Sequence, residues 1–287
     1  MKTVRGKSPQ PDARSRAITA ITRDHGDHHI TRSDDRITRA LSRPPGLVVY
    51  VTCGDPDLKT SKEIILSAIS AGADVIEMGV PFSDPVADGP VIQRASERAL
   101  RNNTSLQDVL SLAAEVRKES DAGLVVFTYL NPILRFGMER FCVETARAGV
   151  DGVLVTDLIV EEAGDYRRLM AEHKLDTIFL AAPTSPDQRL KAIAAACKGF
   201  VYAVSRTGVT GTQKQLAGDA RDLVKRIRKF SKLPVAVGFG ISSAEQFAQV
   251  GEFADAGVVG SAIVQAIEQN PGSEASAVGD LVRLLRG

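Results

Sequence analysis

The sequence lacks tryptophan altogether and has only three cysteines in 287 residues. Cys53, Cys142 and Cys197 are widely spaced and form no CxxC pair, which argues against a disulfide framework and favours a reduced, cytoplasmic setting. The net charge of +1 gives no field that would attract nucleic acid or an acidic membrane. No apolar run approaches the roughly 20 residues that cross a bilayer. What remains is the composition of a soluble globular enzyme, with 44% hydrophobic and 25% charged residues.

The first 34 residues have few large apolar side chains and several Arg, Asp and His. Such a segment has too little apolar surface to form a core, so we predict that residues 1–34 are a disordered extension. His25, His28 and His29 offer a metal site as the alternative, but nothing near them in the sequence completes a ligand set. Residues 35–287 are enough for one large domain.

Short apolar runs and helix-like segments alternate through the rest of the chain. The runs lie at 47–52, 74–79, 124–128, 152–156, 176–181, 199–204, 234–238 and 256–260. Continuous apolar runs of this length are typical of strands covered on both faces in a parallel sheet. Eight strand–helix units predict an α/β fold, a single-domain (β/α)8 TIM barrel. A doubly wound open sheet is the alternative, but the turn after the first run reads CGDPD and not GxGxxG.

Helix starts are indicated where a hydroxyl residue stands three positions before a carboxyl or amide side chain. Four such pairs fall between the apolar runs: Thr60 with Glu63, Ser105 with Asp108, Ser185 with Gln188, and Ser242 with Glu245. The active sites of such barrels form at the carboxyl ends of the strands. The turns that follow the apolar runs are therefore where functional residues are expected.

Glu77 interrupts the second apolar run, within the segment IEMGVPFSDPVADGP. Because side chains alternate along a strand, Val75, Glu77 and Gly79 share one face. If that face points into the barrel, burial raises the pKa of the Glu77 carboxyl toward neutrality and suits it to acid–base catalysis. The alternative is a structural Glu paired with an arginine, but no run carries Arg or Lys in its middle.

Asp88 lies on the loop that leaves the same strand. We expect it to be better solvated than Glu77 and to stay ionised, as an acceptor for an N–H or O–H of a substrate. From the residues alone, an Asx-turn or helix cap ahead of Gly89 and Pro90 is equally favoured. Different surroundings for Glu77 and Asp88 would separate their pKa values and so their acid and base roles.

Glycine-containing turns follow the last three strands, at 208–211, 238–240 and 260–261. Backbone N–H groups exposed beside a helix start bind anions, and barrels of this kind often hold phosphate there with a short extra helix, here 261–268. Plain turns are the alternative. No lysine lies in mid-strand and all four histidines lie away from the strand ends, which argues against a Schiff base or a His-bound metal. The pattern favours metal-free acid–base chemistry on a phosphorylated small molecule.

From about Asp35 to the end, the chain resembles the alpha chain family of tryptophan synthase. The resemblance rests on IEMGVPFSDPVADGP, VTCGDPD, TYLNP, VSRTGVTG, VGFGIS and VVGSAIV, which occur in family order. It implies retro-aldol cleavage of indole-3-glycerol phosphate to indole and glyceraldehyde 3-phosphate. Glu77 would then be the principal acid–base catalyst, and Asp88 would orient the indole N–H.

The resemblance also implies the residues that bind the substrate. Tyr202 would shape the site near Glu77, and Thr210 would lie on a loop that orders over the substrate. The phosphate would bind the backbone of Gly211, Gly240, Gly260 and Ser261. The indole pocket would consist of Tyr50, Ile92, Phe127, Leu154, Leu180 and Phe239, each of which has core packing as its alternative role.

The family's partner is a beta subunit that depends on pyridoxal phosphate and consumes the indole in an alpha2–beta2 assembly. Pro81 and Asp84 would lie at that interface, and no cofactor is expected in this chain itself. Ile159 replaces a proline usual in the family, and the segment TQKQL is also unusual, so both put the coupling of the subunits in question. A stand-alone lyase, or a weakly active subunit that mainly activates its partner, remains an alternative.

Overall fold

The computed structural model describes residues 36–204, 213–238 and 240–287. The described residues form nine parallel strands: β1 (Gly46–Thr52), β2 (Val75–Gly79), β3 (Gly123–Thr128), β4 (Gly152–Val155), β5 (Asp176–Ile178), β6 (Leu180–Ala181), β7 (Val201–Val204), β8 (Val235–Gly238) and β9 (Ala256–Val259). Between and around them lie twelve helices: α1 (Arg36–Ala40), α2 (Leu58–Ser70), α3 (Pro90–Arg101), α4 (Leu106–Arg117), α5 (Leu130–Phe136), α6 (Met138–Arg147), α7 (Gly164–Glu172), α8 (Asp187–Ala196), α9 (Gln213–Ile227), α10 (Ala244–Gly251), α11 (Ser261–Gln269) and α12 (Glu274–Arg286).

The strands form one sheet in the order β5-β4-β3-β2-β1-β9-β8-β7-β6. The two strands at the ends of this order, β5 and β6, are pieces of the single run 176–181 that are separated at Phe179. The sheet therefore curls back on itself into a nearly closed barrel, and the predicted (β/α)8 fold is confirmed. The ninth strand arises only because the fifth predicted strand is interrupted.

Side-chain alternation divides the core into two layers. In β1, Leu47, Val49 and Val51 pack outward against the helices, in the larger apolar cluster. Val48 points inward, in a smaller cluster that fills the barrel. In register, Val48 lies opposite Val75 and the next inward position, Tyr50, lies opposite Glu77. Glu77 therefore lies on the barrel face toward the carboxyl end of the strands, as predicted.

Helix α1 closes the amino end of the barrel. Ile37 and Leu41 are buried within the inner cluster. Ile37 lies so close to Gly152 and Gly199 that a β-carbon at either position would touch it, at 3.2 and 3.4 Å. The opposite end of the barrel is left to the strand-to-helix turns.

The predicted helix starts have mixed outcomes. Ser105 and Asp108 form the expected capping box at the start of α4. The other three predictions were wrong, because a neighbouring residue begins the helix in each case: Asp57 caps α2, Pro186 precedes α8, and Ser243 caps α10. The Ser185 hydroxyl instead accepts a hydrogen bond from the Ala182 N–H.

The described residues belong to one compact unit. The predicted extension, residues 1–34, lies outside the described part of the chain. Its disorder stays a prediction, and so does the alternative of a metal site on its histidines. Within the described ranges, no helix has the length and apolar character that a membrane span needs.

Candidate active site

A cavity opens at the carboxyl end of the barrel strands. It measures about 470 Å³ including its open mouth, and it is lined by Tyr50, Glu77, Ile92, Phe127, Tyr202, Gly238, Gly240, Val258, Gly260 and Ser261. Eight of these ten residues were predicted site residues, and they come from β1, β2, α3, β3, β7, the turn after β8 and the start of α11. Residues distant in the sequence are therefore brought to one place.

Glu77 is the carboxyl side chain among the residues that line this cavity. It is 1% exposed, and its Oε1 atom has no hydrogen-bond partner in the described part of the chain. Burial alone raises its pKa from 4.5 to about 8. A carboxyl group with that pKa is mostly protonated at pH 7 and can both give and take a proton there.

Asp88 is half-buried on the loop before α3. Burial raises its pKa to about 6, and a hydrogen bond from the Tyr129 hydroxyl to Oδ2, at 3.0 Å, opposes that rise. Asp88 is therefore better solvated than Glu77 and mostly ionised at pH 7, as expected, although it is not fully exposed. It is not a helix cap: Gly89 is the N-cap of α3, and no side chain caps it.

Tyr129 is a site residue that the sequence did not single out. Its hydroxyl donates to Asp88 and accepts a hydrogen bond from the Ala87 N–H at 3.0 Å. Its ring packs on Phe82, with centroids 5.0 Å apart. Tyr129 thus fixes the loop that carries Asp88. The only signal for it was its place in the TYLNP turn directly after β3.

The apolar wall is built around Tyr50. Its ring meets Phe127 edge to face, with centroids 5.1 Å apart, and its hydroxyl accepts a hydrogen bond from Thr52 at 3.3 Å. Burial raises the pKa of Tyr50 and Tyr202 well above the ordinary value, and the nearby carboxyls of Glu77 and Asp88 add to that rise. The two phenols therefore stay neutral, and they line the same cavity as Glu77.

Leu154 and Leu180 do not line the cavity itself. Leu154 is fully buried in the inner barrel cluster, against which Phe127, Leu180 and Tyr202 pack. Leu180 also borders a separate groove beside the turns after β4 and β6. Val258 and Gly238, which were not predicted, line the cavity instead. A side chain at position 238 would collide with Tyr202, because a β-carbon there would lie 2.7 Å from its hydroxyl.

The other end of the cavity is formed by backbone. Gly240 has a φ of +80°, and Gly260 is the N-cap of α11 without a side-chain capping bond. The predicted extra helix is confirmed as α11, which begins at Ser261 and is followed by α12. The N–H groups of its first turn are open to an anion from the cavity. Thr210, Gly211 and Phe239 lie outside the described residues.

Segments that follow three neighbouring strands each expose a large apolar side chain: Val86, after β2, is 86% exposed, Leu134, on α5 after β3, 56%, and Ile159, after β4, 42%. We call these three side chains the apolar rim. Pro81 is buried on the same loop as Val86, whereas Asp84 is exposed and accepts a hydrogen bond from Ser83 at 2.9 Å. In the described ranges, no cluster of three or more His, Cys, Asp or Glu side chains could hold a metal ion.

A family profile described as tryptophan synthase alpha chain matches residues 39–286. The tryptophan synthase alpha chain of Solibacter usitatus is 50% identical over 229 residues, which cover 80% of this chain and 86% of the relative. That of Neisseria meningitidis serogroup B is 45% identical over 248 residues, which cover 86% and 95%.

Solved structures show the same similarity. A chain of tryptophan synthase from Mycobacterium tuberculosis, in an open form, superposes with a TM-score of 0.79 at 36% identity, covering 88% of this chain and 99% of that one. The alpha subunit of tryptophan synthase from Legionella pneumophila gives a TM-score of 0.80 at 35% identity, covering 88% and 97%.

Proposed function

Because this chain belongs to the tryptophan synthase alpha chain family, a family of lyases, we propose that it cleaves indole-3-glycerol phosphate to indole and glyceraldehyde 3-phosphate. The observation that carries the proposal is Glu77: a buried carboxyl on the cavity wall, with a pKa of about 8 and burial as its cause. Near neutral pH it holds a proton that it can transfer to the substrate.

In the first step, Glu77 donates its proton to the ring carbon that bears the glycerol chain. The electron pair for the new C–H bond comes from the enamine of the indole, so positive charge develops at the ring N–H. Asp88 is ionised at pH 7 and accepts a hydrogen bond from that N–H, which stabilises the charge. Tyr129 holds Asp88 in place.

In the second step, the carboxylate of Glu77 takes the proton of the hydroxyl next to the ring. The O–H electron pair forms the aldehyde carbonyl, and the carbon–carbon bond to the ring breaks. Its electron pair returns to the indole and neutralises the ring nitrogen. Glu77 regains its proton and no other reactant is consumed, so one residue with a pKa near 8 serves both steps.

The remaining predicted residues bind the two ends of the substrate. Tyr50, Ile92 and Phe127 form the wall for the indole ring, with Tyr202 beside Glu77. We assign Leu154 and Leu180 to the layer behind that wall, keep Phe239 in the indole pocket, and assign Thr210 to a loop that orders over the substrate. The phosphate binds the backbone of Gly211, Gly240, Gly260 and Ser261, where the dipole and free N–H groups of α11 favour an anion.

We further propose that the apolar rim binds a beta subunit in an alpha2–beta2 assembly, in the cytoplasm, and that pyridoxal phosphate belongs to that partner. The exposed side chains of Val86, Leu134 and Ile159 support this: they follow three neighbouring strands, and exposed apolar patches mark interaction sites. Pro81 and Asp84 connect the rim to the loop of Asp88. If added beta subunit leaves turnover unchanged, the chain is a stand-alone lyase.

The test is indole release from indole-3-glycerol phosphate. Glu77→Gln keeps the shape of the side chain but holds no transferable proton, so turnover should fall by at least about 10²-fold. Glu274→Gln is the matched control: Glu274 is also buried, at 8% exposure, but lies on α12 away from the cavity. Near-normal turnover of Glu77→Gln, or an equal loss in both variants, would contradict the proposal.

A further inference from the structure

Arg98 joins two carboxylates that belong to different parts of the barrel. Its Nε and Nη2 atoms donate to both oxygens of Asp55, at 2.7 and 2.8 Å. Its third nitrogen, Nη1, donates to Oε1 of Glu268 at 2.8 Å. Asp55 is 1% exposed, so the planar guanidinium neutralises a buried charge in the geometry that suits it best.

Glu268 is held from a second side. Arg94, one turn earlier on α3, donates from Nε and Nη2 to its two oxygens at 2.8 and 2.7 Å. Hydrogen bonds from both arginines lower the pKa of Glu268 to about 2, so it stays ionised throughout the neutral range. We call Asp55, Arg94, Arg98 and Glu268 the α3–α11 clamp.

Each segment that the clamp joins also forms a wall of the cavity. Asp55 follows β1, which carries Tyr50; α3 carries Ile92 and begins directly after Asp88; α11 begins at Ser261. At 1.5 Å per residue, Arg98 lies about 9 Å along α3 from Ile92, and Glu268 about 10 Å along α11 from Ser261. The clamp is thus too far along the helices to touch a substrate in the cavity.

Packing transmits the clamp's position to the cavity. Between the clamp and the cavity, Ala95 of α3 and Val264 of α11 are fully buried in one small apolar cluster with Tyr50. Two helices packed on small side chains can shift along each other, whereas a bidentate ion pair has a defined geometry. The clamp therefore sets where the start of α3 lies relative to the start of α11.

We propose that the α3–α11 clamp is a positioning device that fixes the distance between the Asp88 end and the phosphate end of the substrate site. This inference rests on the proposed function, because it takes Asp88 and the start of α11 as the two ends. A substrate that holds an indole and a phosphate at a fixed separation can bind both ends of the site at once only when the distance between those ends matches its own.

The test compares three ligands on the full chain with Glu268→Gln: indole, inorganic phosphate, and an indole joined to a phosphate by a three-carbon chain. Removing the Glu268 charge leaves Asp55 paired with Arg98, so the buried charge keeps its partner. We expect the Kd values of indole and of phosphate to stay within about twofold. The Kd of the linked ligand should rise about tenfold, since only a ligand that occupies both ends of the site at once depends on the distance between them.

Two further variants separate positioning from stability. Arg98→Lys keeps the charge but loses the planar guanidinium that donates two parallel hydrogen bonds. It should therefore also raise the Kd of the linked ligand selectively. Arg226→Met is the control: Arg226 is equally exposed, at 29% against 28%, and binds Asp187 between α9 and α8. It should lower stability without changing any of the three Kd values.

Equal weakening of all three ligands in Glu268→Gln, or no change in the linked ligand, would overturn the inference. A wild-type chain that binds the linked ligand tightly but does not cleave indole-3-glycerol phosphate would refute the proposed function alone. A wild-type chain that binds neither the linked ligand nor its parts would refute both.

Discussion

Three carboxylates at the amino end of the barrel and Glu77 at its carboxyl end have opposite electrostatic surroundings. At the amino end, Asp74, Asp151 and Asp255 each stand one residue before a strand and accept the N–H of Leu47, Leu124 or Val235 in a neighbouring strand. Each also pairs with an arginine, Arg286, Arg117 or Arg228. At the carboxyl end, Glu77 is buried without an arginine, and only burial shifts its pKa.

The difference separates stability from chemistry. A carboxylate that accepts an N–H and an arginine holds strands and helices together but has no reason to exchange its proton. A buried carboxyl without such partners costs stability in its charged form, and that cost is what brings its pKa near 8. Variants at the two ends should therefore fail in different ways.

The largest expected effect on folding is at the amino end. Arg117 is 14% exposed on its side chain, pairs with Asp151, and donates to the carbonyls of Gly149, Ser120 and Ala122. Arg117→Met removes the donor of all three carbonyls and leaves Asp151 with only Arg36 and the Leu124 N–H as partners. Because several charge-assisted hydrogen bonds are lost at once, the free energy of unfolding should fall by about 3 kcal/mol or more. Urea titration measures this loss, and kcat of the protein that remains folded should be unchanged. A lowered kcat in fully folded protein would show that Arg117, at the amino end, also affects catalysis.

Tyr129→Phe tests the carboxyl end with a smaller effect. It removes the hydrogen bond that lowers the pKa of Asp88, so that pKa should rise above its present value of about 6. Since the ionised form of Asp88 is the useful one, the acid limb of the pH–rate profile should move to higher pH. At pH 7 we expect about a tenfold loss of kcat, the order of a hydrogen bond to a charged group. An unchanged acid limb would show that Tyr129 does not act through Asp88.

The smallest expected effect is the loss of a more exposed ion pair at the amino end. Arg228 pairs with Asp255 at 3.2 Å, but the two side chains are 48% and 26% exposed. Arg228→Met should cost less than about 1 kcal/mol, because exposed ion pairs are screened by solvent and Asp255 keeps the N–H of Val235. A loss as large as that of Arg117→Met, in the same urea titration, would mean that burial does not set the strength of these pairs.

The sequence predicted the parts of this molecule that depend on local pattern. Alternation along the second strand placed Glu77 on the inner face, and the spacing Ser105 to Asp108 predicted a real capping box. Two other caps were misplaced because another residue near the helix start does the capping, Asp57 for α2 and Ser243 for α10. The third was wrong because α8 begins after Pro186 without a side-chain cap.

What the sequence did not reveal depends on contacts between distant segments. Asp88 accepts a hydrogen bond from Tyr129, which lies 41 residues away, and Arg98 meets Glu268 across 170 residues. Leu154 and Val258 are both apolar side chains that point into the barrel. Only the register and curvature of the strands decide which of them lines the cavity. Alternation along a strand tells which face a side chain is on, but not how far along the barrel axis it lies.

The protonation state of the buried Glu77 carboxyl can be measured directly by infrared difference titration. Spectra of the wild type and of Glu77→Gln, recorded from pH 4 to 10, isolate the carbonyl band of the protonated Glu77 side chain. This band should persist through neutrality and disappear with a midpoint near pH 8. A midpoint near the ordinary value of 4.5 would instead show that Glu77 is already ionised in the free protein at neutral pH, with no proton to give.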